Sequence, residues 1–189
     1  RVVSHLLNID ETLASNVGSG LGLKAMPSPA DAAMPTRKDL EPSPALSILK
    51  KGPQRFEGRK LGILLTDGFD NKLLQALQTA VLKEKAVFEI ITPAVAGAKS
   101  SDGSFVEGHQ MIGGGPSVLY DAVAILPSEQ GVADLLKEST ARDFVADAFA
   151  HCKFIGYSQA ALPLMEKAGL PKDLDEGVIQ LNTPKDIAS

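Results

Sequence analysis

The last two thirds of the chain alternate two hydrophobic rhythms. "KLGILLT" (60–66), "VFEIIT" (87–92), "DAVAILP" (121–127) and "KFIGYS" (153–158) are nearly unbroken apolar runs, the pattern of strands covered on both faces. Between them, "DNKLLQALQTAVLKEKA", residues 131–150 with a break near Ser139, and "QAALPLMEKAG" carry apolar residues at helical spacing. "GVIQLN" supplies a fifth strand. Strand and helix in regular alternation predict right-handed crossovers and an α/β doubly wound parallel sheet over residues 58–189. "SDGSFVEGHQMIGGGPS" stands outside this rhythm, and its Asp102-Gly103 pair marks a short hairpin.

The first third follows other rules. Residues 1–24 read as helical, with Leu6, Ile9, Leu13 and Val17 forming one stripe, stopped by Gly18 and Gly20. Asp10 and Glu11 allow two short helices in place of one. Residues 25–57 hold six of the twelve prolines and no sustained period, so they predict an extended connector with "ALSIL" as its apolar anchor.

Composition narrows the class. The 189 residues are 44% hydrophobic with no Trp, so the core is aliphatic. A net charge of −4 argues against a nucleic-acid binder, and the basic group Lys50, Lys51, Arg55, Arg59 and Lys60 reads as solvated linker. No apolar run approaches the roughly 18 residues of a membrane span. One cysteine excludes an internal disulfide, and the compartment stays unassigned. The chain starts at Arg1 and stops at "PKDIAS", which reads as a piece of a longer protein.

Ser158 is the first candidate for chemistry. A sharp strand-to-helix turn lifts one side chain above the sheet edge, and Gly156-Tyr157-Ser158-Gln159-Ala160 resembles G-x-S-x-G with Ala in place of the second glycine. A serine nucleophile needs a base, and neither His5, His109 nor His151 follows it in the chain. The competing reading is a serine that caps the next helix. Cys152 reads as a small buried hydrophobe at the wrong end of its strand. Asp67 and Asp70, flanking Gly68-Phe69 at the carboxyl edge of the first strand, could act as an acid/base pair, with Asp70 as a helix cap the simpler reading. Gly113-Gly114-Gly115-Pro116 lacks a clear preceding strand and reads as a turn, not a phosphate loop. No set of His, Cys, Asp and Glu has metal-ligand spacing.

Two separate stretches carry a resemblance. "VVSHLLNIDETLASNVGSGLGL" resembles the helical end of the haem catalase core. "SPALSIL", "GPQRFEGRKLGILLTDGFD" and "GGGPSVLYDAVAILP" resemble the connector and C-terminal flavodoxin-like domain of large-subunit catalases. That domain is similar in turn to the ThiJ/PfpI group, related to class I glutamine amidotransferases. The resemblance places the group's cysteine nucleophile at Ser158 and its helper glutamate at Leu73, and leaves its histidine without a counterpart. It implies a non-catalytic domain that stabilises the tetramer, shapes access to the haem channels and holds unfolded clients in a chaperone-like way. Its implied partners are the catalase core of the same chain and neighbouring subunits, with haem bound only in that core. It further implies a final helix for which "TPKDIAS" is too short, so one sheet face is expected to be under-covered. The alternatives are a stand-alone ThiJ/PfpI-type hydrolase or glyoxalase using Ser158, and, from fold analogy alone, a flavin or nucleotide binder.

Overall fold

A computed structural model describes residues 1–37, 39–41, 43–53 and 55–187, without the side chain of Leu49. Lys38, Pro42 and Gln54 of the connector and Ala188 and Ser189 of the C-terminal segment lie outside the described residues. The chain divides into two compact units, 1–53 and 54–189.

In the first unit, α1 (Val2–Leu6) and α2 (Glu11–Gly20) are separate helices. Asp10 divides them because its carboxylate accepts from the Leu13 amide at 2.7 Å, capping α2. Ile9 falls in the intervening turn, so the stripe of Leu6, Ile9, Leu13 and Val17 is divided, and the two short helices that Asp10 and Glu11 allow are what forms. Val3 and Ala14 are buried instead. A four-residue helix, α3 (Ile48–Lys51), interrupts the connector. Of "ALSIL", Leu46 and Ile48 are 85% and 84% exposed in this chain.

The second unit contains β1 (Lys60–Leu65), α4 (Asn71–Lys83), β2 (Val87–Thr92), β3 (Ala98–Lys99), β4 (Phe105–Val106) and β5 (Gln110–Met111). After these come β6 (Ala122–Leu126), α5 (Glu129–Leu135), α6 (Ser139–Ala150), β7 (Phe154–Tyr157), α7 (Leu162–Lys167) and β8 (Val178–Gln180). Six strands form one parallel sheet in the order β5-β2-β1-β6-β7-β8. The chain winds outward from β1 to β2 and β5, then restarts on the other side at β6, which makes β1/β6 the switch point. The doubly wound parallel sheet predicted from the two rhythms is therefore present, with one more strand than expected. β5 is two residues long, too short to show a period.

Alternate residues of each strand serve opposite cores. Leu61, Ile63 and Leu65 pack with Leu73, Leu74, Leu77 and Val81 of α4. Leu64, Val123, Ile125 and Ile155 face Phe144 and Val145 of α6 and Leu164 of α7. Truncating a fully buried leucine such as Leu74 would cost about 2–5 kcal/mol. Gly62 is required where it stands, since a Cβ there would meet the ring of Tyr120 at 2.5 Å.

Helix ends are closed by four Schellman turns, in which a left-handed residue follows the cap and two backward amide bonds satisfy the last carbonyls. Gly22 and Gly169 fill that position after α2 and α7, whereas Lys85 (φ 56°) and Cys152 (φ 52°) fill it after α4 and α6. Cys152 is thus held in a turn and exposed, not buried as a small hydrophobe.

Candidate functional site

Three of the carboxyl edges meet around the switch point, and their polar groups satisfy one another. Ser128 follows β6, and its amide donates to Thr66 Oγ1 at 2.9 Å. Its hydroxyl donates to the Asp67 carbonyl at 2.5 Å and accepts from the Gly131 amide at 2.9 Å, capping α5. Gly131 lies so close to Thr66 that a Cβ there would collide with the threonine side chain. On the other side, Asp67 Oδ1 accepts from the Lys99 amide at 2.8 Å and the Gly68 amide donates to the Lys99 carbonyl at 2.7 Å. The β3–β4 hairpin, turning through Asp102 and Gly103, is thereby tied to the end of β1. Asp102 accepts from the Ser100 hydroxyl, from Asn71 and from the Ser104 amide, and these bonds hold its carboxyl far below the usual carboxylate range.

Asp67 and Asp70 have different partners. Asp67 is bonded to the hairpin, while Asp70 accepts from the Lys72 and Leu73 amides at 2.8 and 3.1 Å and caps α4. The remaining hollow beside Thr66, Asp67, Pro93, Gly131 and Asp134 measures about 160 Å³, room for a few waters.

Ser158 sits at the carboxyl end of β7, as its place in the sequence requires. Its backbone is ordinary extended chain (φ −84°, ψ 158°), its amide donates to the Ile125 carbonyl at 3.0 Å, and a single turn of 3₁₀ helix precedes α7. The hydroxyl does not cap that helix, contrary to the simpler expectation. Its Oγ is buried, and no described group lies within hydrogen-bond reach of it. His109 precedes β5, four strands away across the sheet, roughly 19 Å by strand spacing. His151 lies at the far end of β7, with Nδ1 2.7 Å from the Asp147 carbonyl. Leu73 is buried in the core.

In an armed turn, the amide of the residue after the nucleophile helps bind an oxyanion. Here that amide, on Gln159, donates to Asn182 Oδ1 at 3.0 Å. Leu181 folds over Gly156, where a Cβ would meet Leu181 Cδ1 at 2.5 Å, and Gln180 bonds the Gln159 side chain. Residues 180–182 therefore cover the turn.

At the amino edge of the sheet, Lys60 Nζ lies 2.8 Å from Glu89 Oε1, and the Tyr120 hydroxyl donates to Glu89 Oε2 at 2.9 Å. The Lys60 ammonium holds the Glu89 carboxyl below its ordinary value, while burial and Glu89 push the Tyr120 phenol well above its own. Lys153 donates to the Ser117 and Tyr120 carbonyls, and burial lowers its pKa. These groups brace the fold. Gly113-Gly114-Gly115 forms the turn between β5 and the short 3₁₀ helix Ser117–Leu119.

Residues 57–188 match the profile of a family described as the C-terminal domain found in long catalases. The chain belongs to that family. It is 65% identical over 181 residues, 96% of its own length, to "Catalase C" of Rhizobium meliloti (strain 1021), of which it covers 26%. It is 31% identical over 183 residues to "Catalase HPII" of Mycobacterium avium, covering 96% of this chain and 25% of that one. The chain thus spans about a quarter of the length of these catalases. Among solved structures it is similar to a DJ-1 superfamily protein from Salmonella typhimurium (TM-score 0.59, 17% identity, 68% of this chain and 84% of that one). Schizosaccharomyces pombe DJ-1 has a TM-score of 0.58 at 15% identity, covering 68% and 85%. These likenesses establish a flavodoxin-like fold of the DJ-1/ThiJ type.

Among the described residues of this long-catalase C-terminal domain, two places bear on haem. The hollow of about 660 Å³ along α4 is lined by Lys72, Gln75, Thr79, Lys83, Pro184 and Ile187 among others, none a haem-ligating type. The Tyr120 phenol is engaged with Glu89, and His109 Nδ1 with the Ile90 amide. Thr66, Ser128 and Asn182 escaped the reading of the sequence. Ser128, just before α5, carries a capping signal that could have revealed it. Asn182 carries none.

Proposed function

We propose that this chain is the non-catalytic accessory domain of a long catalase, which decomposes hydrogen peroxide at a haem held elsewhere in the polypeptide, and that it stabilises the assembly. One observation carries the reading: the Ser158 hydroxyl is buried with no base in reach among the described residues, while Asn182 occupies the neighbouring amide of Gln159. A nucleophile needs access, a base and an oxyanion donor, and this turn offers none of the three. Fluorophosphonate probes should leave Ser158 unlabelled, and small esters and methylglyoxal should not be turned over. Labelling at Ser158 would overturn the reading.

The stabilising role has its own test. Gly131→Ala in the long catalase forces Thr66 away from Ser128 and destabilises this domain by about 1–3 kcal/mol through overpacking. Peroxide turnover at 25 °C should be unchanged, while inactivation on heating should come earlier. Heat inactivation that ignores a melted domain would refute stabilisation.

A further inference from the structure

The connector begins by folding back onto the two helices of the first unit. The Ala30 amide donates to the Ser4 carbonyl at 2.9 Å and Asn8 Nδ2 donates to the Ala30 carbonyl at 2.7 Å, which pins residue 30 to the end of α1. Four residues earlier, Met26 seats on α2. Gly18 is buried there, and α2 runs through it to Gly20 in place of stopping at it. A Cβ on Gly18 would stand 3.0 Å from Met26 Sδ and 3.7 Å from Leu23 Cδ1, so the thioether fills the notch that the missing side chain leaves. The notch accounts for a poor helix former standing inside α2. The seat is nonetheless open to small solutes. Met26 is 44% exposed, whereas Met165 of α7 is 2% exposed.

We propose that Met26 is a peroxide-responsive modification site, at which oxidation of the thioether unseats residues 25–30 from α2. A sulfur lone pair attacks one oxygen of hydrogen peroxide, an S–O bond forms and the O–O bond breaks. The departing hydroxide takes the proton of the transferred hydroxyl and becomes water, so methionine loses two electrons and peroxide gains them. The product sulfoxide is polar and larger at the very atom packed against Gly18 and Leu23. A flexible apolar filler thereby becomes a group that prefers water, and the segment loses its seat on α2. Sulfoxide reductases reverse the step, so the clasp resets. The inference does not rest on the accessory-domain reading, since it concerns the first unit and its test supplies the peroxide from outside.

Lys24, exposed and two residues before Met26, gives the readout, because trypsin cuts after it when the local segment opens. The 189-residue chain is treated with dilute hydrogen peroxide, sulfoxide is located by peptide mass spectrometry, and cleavage after Lys24 is timed. Met26 should oxidise at a rate comparable to that of Met111, which is equally exposed. Cleavage after Lys24 should then be about tenfold faster, the effect of losing the seat of a half-buried methionine. Sulfoxide reductases acting on both epimers should restore the slow rate. Met26→Leu keeps an apolar group on Gly18 and should stay slow with or without peroxide, whereas Met26→Gln should be fast without it. Met26 that stays reduced while Met111 oxidises overturns the proposal, as does Met26→Gln cleaved at the parent rate. A sulfoxide at Met26 that leaves cleavage unchanged also overturns it. Acceleration by peroxide in Met26→Leu assigns the effect to another residue and likewise overturns it.

Discussion

The side chain of His109 completes a sheet ladder, and removing it should cost more than its surface position suggests. The residue precedes β5, and its amide donates to the Ile90 carbonyl at 2.8 Å. Its Nδ1 then accepts the Ile90 amide at 3.0 Å, so a ring nitrogen stands where a strand carbonyl would. Ile90 is 1% exposed, its amide covered by the imidazole that accepts from it. His109→Ala leaves a buried N–H unpaired, at about 1–3 kcal/mol. It also removes the edge-to-face contact with Phe88, whose ring centroid is 6.4 Å away, at about 0.5–1.5 kcal/mol. The sum of about 2–4 kcal/mol should lower the melting temperature by about 10 °C for a domain of this size. His109→Gln can present an amide oxygen to Ile90 and should recover more than half of the loss. Circular dichroism melts give the global effect, and hydrogen exchange at the Ile90 amide reads the local one. If His109→Ala melts within about 2 °C of the parent with the Ile90 amide still protected, the imidazole is not the acceptor and the reasoning fails.

Two further outcomes follow from the geometry. Lys85→Gly and Cys152→Gly each place glycine at a left-handed position closed by a Schellman turn, and each should stabilise by about 0.5–1 kcal/mol after the added entropy of the unfolded chain. The 3.8 Å Lys85–Glu57 pair is exposed and contributes little, so a urea midpoint that falls in either variant would contradict this account. The Glu89 carboxyl is held below its ordinary value of 4.5, chiefly by Lys60, so its contribution is present at neutral pH and fades as pH drops through the folded pKa. Glu89→Gln should lower stability at pH 7 and flatten its decline below about pH 4.5; an unchanged acid slope would refute the role.

The strand–helix alternation was legible because the central strands β1 and β6 are buried on both faces and read as unbroken apolar runs. Asp70 was legible as a cap because capping is local, three residues deep. The short strand β5 was not, since its pairing with β2 depends on a return path through residues 93–109. Cys152 was misjudged for a related reason. Its exposure follows from the left-handed turn that ends α6, and no residue-type preference encodes that turn when glycine is absent.

The chain's own pattern determined a doubly wound sheet, placed Ser158 at the carboxyl end of β7, and placed His5, His109 and His151 before it. Only the folded state decided what surrounds that hydroxyl. Asn182 reaches the Gln159 amide because β8 lies beside β7, a pairing between residues more than twenty positions apart. Likewise Thr66 and Ser128 interlock because β1 and β6 are neighbours at the switch point. Periodicity records which face of an element is covered, but hydrogen-bond partners brought together by crossovers leave no trace in it.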